Sequence, residues 1–341
     1  MRSSDAAPLA AILHSLVPAD APADEQDTLV QRDCVSQALT ALGYAVVSLP
    51  FTRDPADVTG YLQRLCPEVV FNLVESIAGS SRLVHVAPAL LDALGLRHTG
   101  CTSQAQLITS QKLLAKRLMR EAGIPTPEWI DSLSRATKQP LPTGRMIVKS
   151  VWEHASFGLD GESVVASGAR AAARIDECAR RFGGQWFAER FIEGREFNVA
   201  LLASEAGPEV LPIAEMRFVN FPENCPRIVD YAAKWDAQSV AYQCTQRCFP
   251  DPHAERDLLA NLAGLARRCW NAFALNGYAR VDIRLDEGQR PWVLEVNANP
   301  CLAPDGGFAA AAARRGLSLS EVIARILDDC PAVTSGPAAE A

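Results

Sequence analysis

Two hydrophobic patterns alternate over the first hundred residues of the chain. Short, nearly continuous apolar runs are typical of buried strands, and between them the apolar residues recur at helical spacing. The runs that predict strands are Leu9–Val17, Tyr44–Leu49 and Glu68–Val74, and the segments that predict helices are Asp24–Leu42, Ala56–Leu65 and Val84–Leu94. This alternation predicts a layer of parallel strands covered by helices, with ligand-binding loops at the ends of the strands.

The middle of the chain begins with a long amphipathic helix, which is predicted over Gln104–Ala122 and ends at Gly123. A strand at Met146–Lys149, a loop with two glycines and a helix at Ala169–Phe182 follow. Further strands then come in close succession, at Trp186–Ile192, Glu196–Leu202 and Val210–Met216. Because turns rather than helices connect these strands, we expect them to pair in antiparallel fashion.

The last third of the chain combines an irregular segment with two predicted helices. Residues 217–250 are rich in proline, cysteine and polar side chains, and an irregular segment of this length suggests a functional loop. Apolar residues between Leu258 and Phe273 recur at helical spacing. Ser318 and Glu321 are spaced as a capping box, which predicts the start of a last helix that runs to Leu327.

The stretch Ala279–Leu302 predicts an antiparallel hairpin, because two β-rich runs flank the polar turn Asp286–Pro291. Side chains alternate between the two faces of a strand with a period of two. One face is therefore expected to collect Arg280, Asp282, Arg284, Val293, Glu295 and Asn297. The other face is expected to carry only apolar side chains, namely Val281, Ile283, Leu285, Leu294 and Val296.

The acids of this hairpin point to a metal site. Neighbouring carboxylates repel each other unless a positive charge lies between them, and a hard cation with oxygen ligands meets that need. Asp282, Glu295 and Asn297 are therefore predicted to bind Mg²⁺, with Mn²⁺ as the alternative ion. Mg²⁺ leaves coordination positions to substrate phosphates, so the pattern indicates a metal–nucleotide site. The alternative interpretation is the solvated outer face of an edge hairpin.

Composition narrows the classes of function. The chain has 341 residues, of which 48% are hydrophobic and 21% charged, so we expect two or three compact units of an ordinary globular protein. Its net charge of −7 argues against general nucleic-acid binding. No apolar run is long enough to cross a membrane and no signal-peptide pattern is present, so a cytoplasmic location is expected. The ten cysteines include no C-x-x-C pair and are expected to be reduced thiols.

Ten short motifs together resemble the ATP-grasp superfamily, and within it the D-alanine–D-alanine ligase-like group. They occur in order over residues 68–328 and read VVFNL, HTG, QKLLAK, GIPTP, IVKS, ASFG, AERFIEGREF, YAAKW, ARVDIRLD and LEVNANP. The resemblance implies an ATP-grasp fold of the α/β (α+β) class, in which a parallel α/β layer precedes two α+β lobes that sandwich ATP. The implied units are an N-terminal domain at 1–103, a central lobe at 104–185, a C-terminal lobe with the metal site at 186–330 and a disordered tail at 331–341.

The same resemblance implies where ATP and two metal ions bind. Lys112 and Lys149 match the lysines that hold the α- and β-phosphates, where point charges suit phosphate oxygens. Lys234 matches a lysine on a mobile loop that approaches the γ-phosphate. Without the surrounding motifs, Lys112 and Lys149 are interpreted as ordinary surface lysines.

The nucleoside is expected to meet the segment between the two lobes. The backbone of the hinge and its first side chain would contact the edge of adenine, and the matching residues are Glu189, Arg190, Phe191 and Ile192. Glu196 matches the residue that accepts hydrogen bonds from the ribose hydroxyls. In isolation, a glutamate after a turn is more simply a solvated side chain.

Three residues are implied to act on the reacting groups: Arg280, Ser156 and Lys234. Arg280 would stabilise the oxygen that becomes negative when an amine attacks an acyl phosphate, although a salt bridge to Asp282 is an alternative or additional role. Ser156 belongs to a loop whose small residues let backbone N–H groups approach phosphates. The implied reaction has two steps, in which a carboxylate attacks the γ-phosphate of ATP and an amine then displaces phosphate to form an amide or peptide bond.

The substrates are expected to differ from two D-alanines, because the motifs diverge where the substrates bind. The family's N-terminal Glu, loop Ser and loop Tyr are absent, and Ala155 and Trp235 stand at the last two positions. Cys301 and Gly306 lie where the acceptor pocket has changed, and these two residues and Glu75 are predicted to contact substrate. A small-molecule carboxylate and amine are the expected partners, and a homodimer is expected from the resemblance alone. The alternatives are a kinase-like protein that phosphorylates a hydroxyl and a nucleotide-binding module without catalysis.

Overall fold

The computed structural model describes residues 7–131, 143–223 and 225–331. Most of the predicted connection Ser132–Gly144 and all but the first residue of the tail predicted at 331–341 lie outside these ranges. All ten cysteines are free thiols, as predicted. Among the helices of the described ranges, none is both long and apolar enough to span a lipid bilayer.

Residues 9–93 contain a parallel three-stranded sheet with the strand order β2-β1-β3, together with its helices. Its strands are β1 (Leu9–Ser15), β2 (Ala45–Phe51) and β3 (Val69–Leu73), and its helices are α1 (Ala23–Ala41), α2 (Pro55–Leu65) and α3 (Val86–Ala93). Nearly all of β1 and all of β3 are buried, which explains why both strands appear as continuous apolar runs in the sequence. The predicted parallel layer is confirmed.

Two helices stand where the sequence predicts one long helix. α4 spans Ser103–Ser110 and α5 spans Lys112–Glu121, and Gln111 between them has an extended backbone. Gln111 caps α5, because its Oε1 accepts a hydrogen bond from the backbone N–H of Leu114 at 2.5 Å. The N–H of Lys112 instead donates to the carbonyl of Val151 at 3.0 Å. The single-helix prediction is therefore wrong, and the break directs the start of α5 toward the loop that contains Val151.

A four-stranded antiparallel sheet follows, in the order β4-β7-β5-β6. Its strands are β4 (Trp129–Ile130), β5 (Met146–Ser150), β6 (Val164–Val165) and β7 (Trp186–Arg190), and its helix is α6 (Gly168–Phe182). β7 pairs along its whole length with β5, so it belongs to this sheet, although the sequence assigns it to the next lobe. The change of sheet thus falls after Arg190, and the limits of the domains remain predictions.

The other strands of the described ranges form a six-stranded sheet, ordered β11-β10-β8-β12-β13 with β9 paired to β8. They are β8 (Glu196–Leu202), β9 (Glu209–Val210), β10 (Ala214–Phe218), β11 (Thr245–Cys248), β12 (Tyr278–Leu285) and β13 (Pro291–Asn297). The helices are α7 (Tyr231–Trp235), α8 (Val240–Cys244), α9 (Arg256–Ala272), α10 (Gly307–Arg315) and α11 (Leu319–Asp328). α5 and α9 pack on the apolar face of β8, β12 and β13, and the predicted capping box begins α11.

The predicted hairpin is present as β12 and β13. Its register places Asp282 opposite Glu295 and Arg280 opposite Asn297. The acids are therefore neighbours across the strand ladder, where facing Cβ atoms lie about 4.5–5.5 Å apart.

One residue of the hairpin faces away from the predicted side because the ladder contains a β-bulge. The register shifts after Asp282, so that Ile283 pairs with Val293. Val293 consequently lies in the core with Val281 and Val296, and its prediction on the polar face is wrong. A strict period of two cannot reveal a bulge, since the extra residue reverses the alternation from that point onward.

Candidate active site

The polar face of the largest sheet carries a row of charged and amide side chains, which we call the polar floor. It comprises Glu196 and Asn198 from β8, Arg280, Asp282 and Arg284 from β12, and Glu295 and Asn297 from β13. The register places Asp282 between Asn198 and Glu295, and Arg284 opposite Glu196. Much of the floor is buried, since Glu196, Asp282 and Arg284 are 9%, 7% and 3% exposed.

Asp282 is held by two neighbours on the floor. Arg280 donates from Nε to Oδ1 at 2.8 Å and from Nη2 to Oδ2 at 2.9 Å, and Asn198 Nδ2 donates to Oδ1 at 2.8 Å. Burial raises the pKa of Asp282 above its ordinary value, although the Arg280 guanidinium acts in the opposite direction. The salt bridge that the sequence suggests for Arg280 is therefore present, and it fixes both planar groups in one orientation.

Glu295 lies in the field of several cations. Burial alone would raise the pKa of its carboxyl, but the positive charges of Lys112, Lys149 and Arg280 lower it well below the ordinary range. The carboxylate is therefore ionised at neutral pH, although it lies opposite Asp282. Cations gathered around one carboxylate are also suited to phosphate oxygens.

Oxygen donors of the kind that Mg²⁺ prefers are concentrated at one end of the floor. Asp282, Glu295 and Asn297 contribute two carboxylates and one amide from directly paired strands. The described part of the chain contains no group of three or more His, Cys, Asp or Glu side chains that could hold a metal by itself. Mg²⁺ typically binds through one or two carboxylates, with waters and phosphate oxygens at its other positions. The donor set therefore fits an ion that arrives with a nucleotide.

The two predicted phosphate lysines border the floor. Lys112 begins α5 and donates to the carbonyl of Glu153 at 2.6 Å, and Lys149 of β5 donates to Glu189 Oε1 at 2.7 Å. Burial lowers the pKa of Lys112. Burial would also lower the pKa of Lys149, but the Glu189 carboxylate raises it above its ordinary value. Both lysines interact electrostatically with Glu295, so the fold brings them to one site.

A third lysine, to which the sequence gives no separate role, completes a buried network. Lys116 Nζ lies 2.6 Å from Glu189 Oε2 and 2.8 Å from Thr126 Oγ1, and the residue is 1% exposed. Each carboxylate oxygen of Glu189 is therefore paired with a lysine ammonium. A contact of this side chain with adenine remains a prediction. The spacing of Lys112 and Lys116, which places both on one helix face, is the signal that could have found the third lysine.

The predicted hinge leads from the end of β7 toward β8. Arg190 stacks on the indole of Trp292, with its Cζ 4.3 Å from the ring centroid. Phe191 is buried, and the carbonyl of Ile192 accepts a hydrogen bond from Arg284 Nη1 at 2.8 Å. The backbone N–H groups of Arg190 and Phe191 donate to the carbonyls of Glu128 and Arg145 at 2.8 and 2.9 Å. Side chains and backbone of the hinge thus both make contacts within the protein, and the contact of this segment with a base remains a prediction.

The predicted phosphate loop after β5 is joined to the segment that leads into α7. Ser156 Oγ donates to the carbonyl of Val229 at 2.8 Å. Ala155 and Ser156 both have positive φ, at 54° and 63°, a conformation that is uncommon outside glycine. A Cβ on Gly158 would lie 2.6 Å from the ring of Trp186, so only glycine fits there. The loop is held in an unusual conformation at the edge of the site.

Two further residues bring charge and a neutral ring to the floor. Burial lowers the pKa of the Lys234 ammonium, and nearby Arg280 lowers it further while Glu295 acts in the opposite direction. Burial and the charge of Lys112 lower the pKa of His154 to about 3, so its imidazole is neutral at physiological pH. Sequence reasoning missed His154, because a single histidine in a loop forms no pattern.

The α7 segment also contacts the N-terminal layer. The Tyr231 hydroxyl donates to Asp24 Oδ1 at 3.0 Å, at the start of α1. Neither residue is predicted as functional, and 207 positions separate them along the chain, so no sequence pattern links them. Through this bond the segment that carries Lys234 is attached to the N-terminal layer.

A cavity of about 360 Å³ lies beside the floor, between the N-terminal layer, α4 and the loop after β5, and it reaches the floor at Asn297. Four carboxylates line it, from Asp24, Glu25, Glu75 and Glu153. The lining found within the described ranges includes no lysine or arginine. The aromatic part of the lining consists of Trp152, Phe157, Phe182 and Trp186. Carboxylates and aromatic rings favour a small molecule that carries positive charge.

The three predicted substrate residues occupy different places. Glu75 lines the cavity, where it accepts a hydrogen bond from Gln31 Nε2 at 2.8 Å and burial raises its pKa to about 7. The Cys301 thiol donates to Asp27 Oδ2 at 2.9 Å, and burial raises its pKa far above the ordinary value. A Cβ on Gly306 would lie 2.9 Å from a backbone carbonyl oxygen, so local backbone keeps this position small. Only Glu75 of the three lines the cavity.

Comparison with known proteins agrees with this geometry. The family model described as the D-ala D-ala ligase C-terminus matches residues 118–328, which is more than half of the chain. The chain belongs to the D-alanine–D-alanine ligase family. A D-alanine–D-alanine ligase from Halorhodospira halophila is 30% identical over 314 residues, covering 90% of this chain and 92% of the relative. An uncharacterized protein, y4sG, from Sinorhizobium fredii is 33% identical over 262 residues, covering 76% of this chain and 74% of the relative.

Solved structures of the family share the fold. The Bacillus anthracis D-alanine–D-alanine ligase complexed with ATP matches with a TM-score of 0.71 at 17% identity, covering 95% of this chain and 97% of that one. The VanG D-Ala:D-Ser ligase from Enterococcus faecalis matches with a TM-score of 0.69 at 15% identity, covering 95% and 99%. The predicted ATP-grasp fold is confirmed. As a member of the D-alanine–D-alanine ligase family, the protein is an ATP-dependent carboxylate–amine ligase.

Proposed function

We propose that this protein joins two small amino-acid substrates through an acyl phosphate, with ATP and its divalent ions bound on the polar floor. The observation that supports this proposal is the register of β8, β12 and β13. It puts Asp282, Glu295 and Asn297 side by side. Lys112 and Lys149 interact electrostatically with the carboxylate of Glu295. Acids and cations gathered on one buried surface suit a triphosphate and its metal ions.

Asp282, Glu295 and Asn297 are the residues to which we assign the divalent ions, Mg²⁺ or Mn²⁺. A divalent ion would neutralise charge on the transferring phosphoryl group. Lys112 and Lys149 would hold the α- and β-phosphates as point charges. Lys149 is suited to this task because Glu189 fixes its ammonium at 2.7 Å.

We assign the nucleoside to the other end of the floor. The hinge segment with Arg190, Phe191 and Ile192 would lie against the base, and Glu196 would accept hydrogen bonds from the ribose hydroxyls. Both carboxylate oxygens of Glu189 are paired with lysine ammonium groups. Glu189 would therefore contribute to nucleotide binding by orienting Lys149.

Arg280 is the residue that we assign to the reacting acyl group. Its guanidinium is oriented by Asp282 at 2.8 and 2.9 Å, so it can face developing negative charge without reorganising. Lys234 would add positive charge from α7. The Ser156 hydroxyl already donates to the carbonyl of Val229 at 2.8 Å and so connects the loop after β5 to the segment that leads into α7. Ser156 would therefore contribute by holding these two segments together over the site.

The cavity supports a substrate that carries an ammonium group. Asp24, Glu25 and Glu75 give one end of it negative charge, and Asn297 connects it to the floor. An amino acid bound with its ammonium among these acids would extend its carboxylate toward the phosphates. The relatives are named for D-alanine and D-serine, and we expect other substrates here because the Glu75 carboxyl lines this cavity.

The test is a screen for ADP release over pairs of amino acids and small amines, followed by mass spectrometry of the products. We expect ADP and free phosphate in equal amounts only when a carboxylate and an amine are both present, with a product mass equal to their sum less one water. Phosphate retained on a substrate would contradict ligation and favour a kinase. Nucleotide binding without turnover for any pair would favour a module without catalysis.

A further inference from the structure

Arg284 is a buried charged residue for which the proposed function gives no role. It lies on the polar floor, two residues along β12 from Asp282 and directly across the strand ladder from Glu196. Only 3% of the residue is exposed. A guanidinium is rarely buried to this extent unless its donors are paired.

The guanidinium of Arg284 donates in three directions. Its Nε donates to Glu196 Oε2 at 2.8 Å, and Nη2 lies 2.7 Å from the same oxygen. Its Nη1 donates to the carbonyl of Ile192 at 2.8 Å, and Nη2 donates to the carbonyl of Arg227. One side chain therefore connects β8, the hinge and the segment that leads into α7.

Two aromatic rings also contact the guanidinium of Arg284. Its Cζ is 5.2 Å from the ring centroid of Phe191 and 5.9 Å from that of Phe218. The two phenylalanines belong to the hinge and to β10, respectively. The plane of the guanidinium is thus restricted by packing as well as by hydrogen bonds.

The partners of Arg284 are the groups that the proposed function gives to the nucleoside. Glu196 is assigned to the ribose, and Ile192 belongs to the hinge that meets the base. In the described ranges, every polar contact to the Glu196 carboxylate uses Oε2. The second oxygen, Oε1, is therefore left for a hydroxyl donor.

We propose that Arg284 is a positioning residue that orients Glu196 toward the ribose and thereby sets the preference for ribonucleotides. This inference rests on the nucleotide placement of the proposed function. Without the guanidinium, Glu196 would be a buried carboxylate close to the like charge of Asp282, and it would turn away from the orientation that a hydroxyl needs. Lysine cannot replace arginine here, because a single ammonium lacks the planar fork that reaches three acceptors.

Nucleotide binding tests the inference without an identified acyl or amine substrate. Calorimetry would give the dissociation constants of MgADP, Mg-2′-deoxyADP and Mg-3′-deoxyADP for the unaltered protein and four variants. The variants are Arg284→Met, Arg284→Lys, Glu196→Gln and Arg290→Met. Arg290 is the matched control, since it lies exposed on the same hairpin and stacks on Trp292 at 4.3 Å.

We expect the unaltered protein and Arg290→Met to prefer MgADP over at least one deoxy analogue by about tenfold or more, as for a hydrogen bond to a charged group. Glu196→Gln should lose most of this preference, because a neutral amide is a weaker acceptor. Arg284→Met should lose it to a similar degree, and Arg284→Lys should lie between. A residue with a merely structural role would change stability or all affinities together and would leave the ratio unaltered.

Two results would overturn the inference, and they are distinguishable. A full preference in Arg284→Met, with the preference lost in Glu196→Gln, would remove the positioning role and leave the proposed nucleotide site standing. A full preference in Glu196→Gln would refute the ribose placement itself, and the inference would fall with it. If circular dichroism shows that Arg284→Met does not fold, Arg284→Lys decides the matter: a full preference contradicts the inference, and a reduced one supports it.

Discussion

The polar floor and the cavity beside it are built in different ways. On the floor, strand register places charges opposite their partners, as with Arg284 and Glu196. In the cavity, carboxylates come from separate segments, namely the start of α1, the end of β3 and the loop after β5. No lysine or arginine of the described ranges lines that space.

The difference separates two tasks. A strand register fixes which side chains of the floor are neighbours, so a change at one position disturbs the others. The chemistry that we propose for this surface is the binding of a nucleotide and its metal ions. A cavity assembled from distant segments can change its charge through single substitutions without disturbing the sheet. The floor therefore indicates the reaction class, and the cavity indicates the substrate.

The largest expected effect is on the floor, from Glu295→Gln. The substitution removes one of the two carboxylates that we assign to the divalent ions and leaves the shape of the side chain unchanged. ADP release should fall by about a thousandfold or more while the circular dichroism spectrum stays the same. Glu287→Gln, in the exposed turn of the same hairpin, should keep full activity. Normal turnover in Glu295→Gln would contradict the metal assignment.

The buried network beside the floor is tested by Lys116→Met. Glu189 would lose the cation that lies 2.6 Å from one of its oxygens. The free energy of unfolding in urea should fall by about 1–3 kcal/mol, the cost of a buried acceptor oxygen that loses its donor, because Lys149 still pairs with the other oxygen. Arg117→Met is the control, because that side chain is 46% exposed and pairs with Asp131 at 3.3 Å. Its loss should stay below about 1 kcal/mol, and equal losses would show that the network adds no special stability.

The cavity is tested by the pH dependence of substrate binding. Because burial raises the pKa of Glu75 to about 7, its carboxyl gains negative charge as pH rises through that value. A substrate ammonium bound near it should therefore bind more tightly, and its KM should fall severalfold between about pH 6 and about pH 8. In Glu75→Gln the KM should vary less over the same interval.

Neighbouring charges at Asp24, Asp27 and Arg280 also act on Glu75, and they are unchanged in this variant. The difference between the two pH profiles therefore reports Glu75 itself. Glu68→Gln, at an exposed position before β3, should show the profile of the unaltered protein. The assignment of Glu75 fails if its variant keeps the full pH dependence.

The smallest expected effect comes from the hydrogen bond between α7 and the start of α1. Tyr231→Phe removes the hydroxyl that donates to Asp24 at 3.0 Å. The ratio kcat/KM should fall by about two- to tenfold, as for one hydrogen bond, with no change in Tm. Tyr242→Phe, at a residue that is 44% exposed in the same segment, should have no effect. Asp24 is also one of the acids assigned to the substrate ammonium, so Asp24→Asn should lower kcat/KM by itself. The double variant should lose no more than Asp24→Asn alone, and additive losses would argue against coupling.

Local periodicity explains how much of the molecule could be predicted from sequence. The parallel layer and the hairpin acids follow from spacings within one or two elements, and both are present. The bulge at Leu294 and the break at Gln111 escaped prediction, because one extra strand residue or one side-chain cap overrides a period.

Contacts between distant segments could not be predicted from sequence. The Lys116–Glu189 pair and the Tyr231–Asp24 hydrogen bond depend on how separate elements meet. A motif can identify a lysine as a phosphate ligand, but the partner that orients it is selected by tertiary packing. The sequence therefore indicated the ATP and metal half of the site in more detail than the substrate half.

The claim that a nucleotide and its divalent ions share the polar floor can be tested in crystals grown with Mn²⁺ and a non-hydrolysable ATP analogue. An anomalous difference map recorded at the manganese absorption edge should show ions bound by Asp282, Glu295 and Asn297, with phosphates extending toward Lys112 and Lys149. Manganese and nucleotide bound elsewhere, with these three side chains free of both, would contradict the claim.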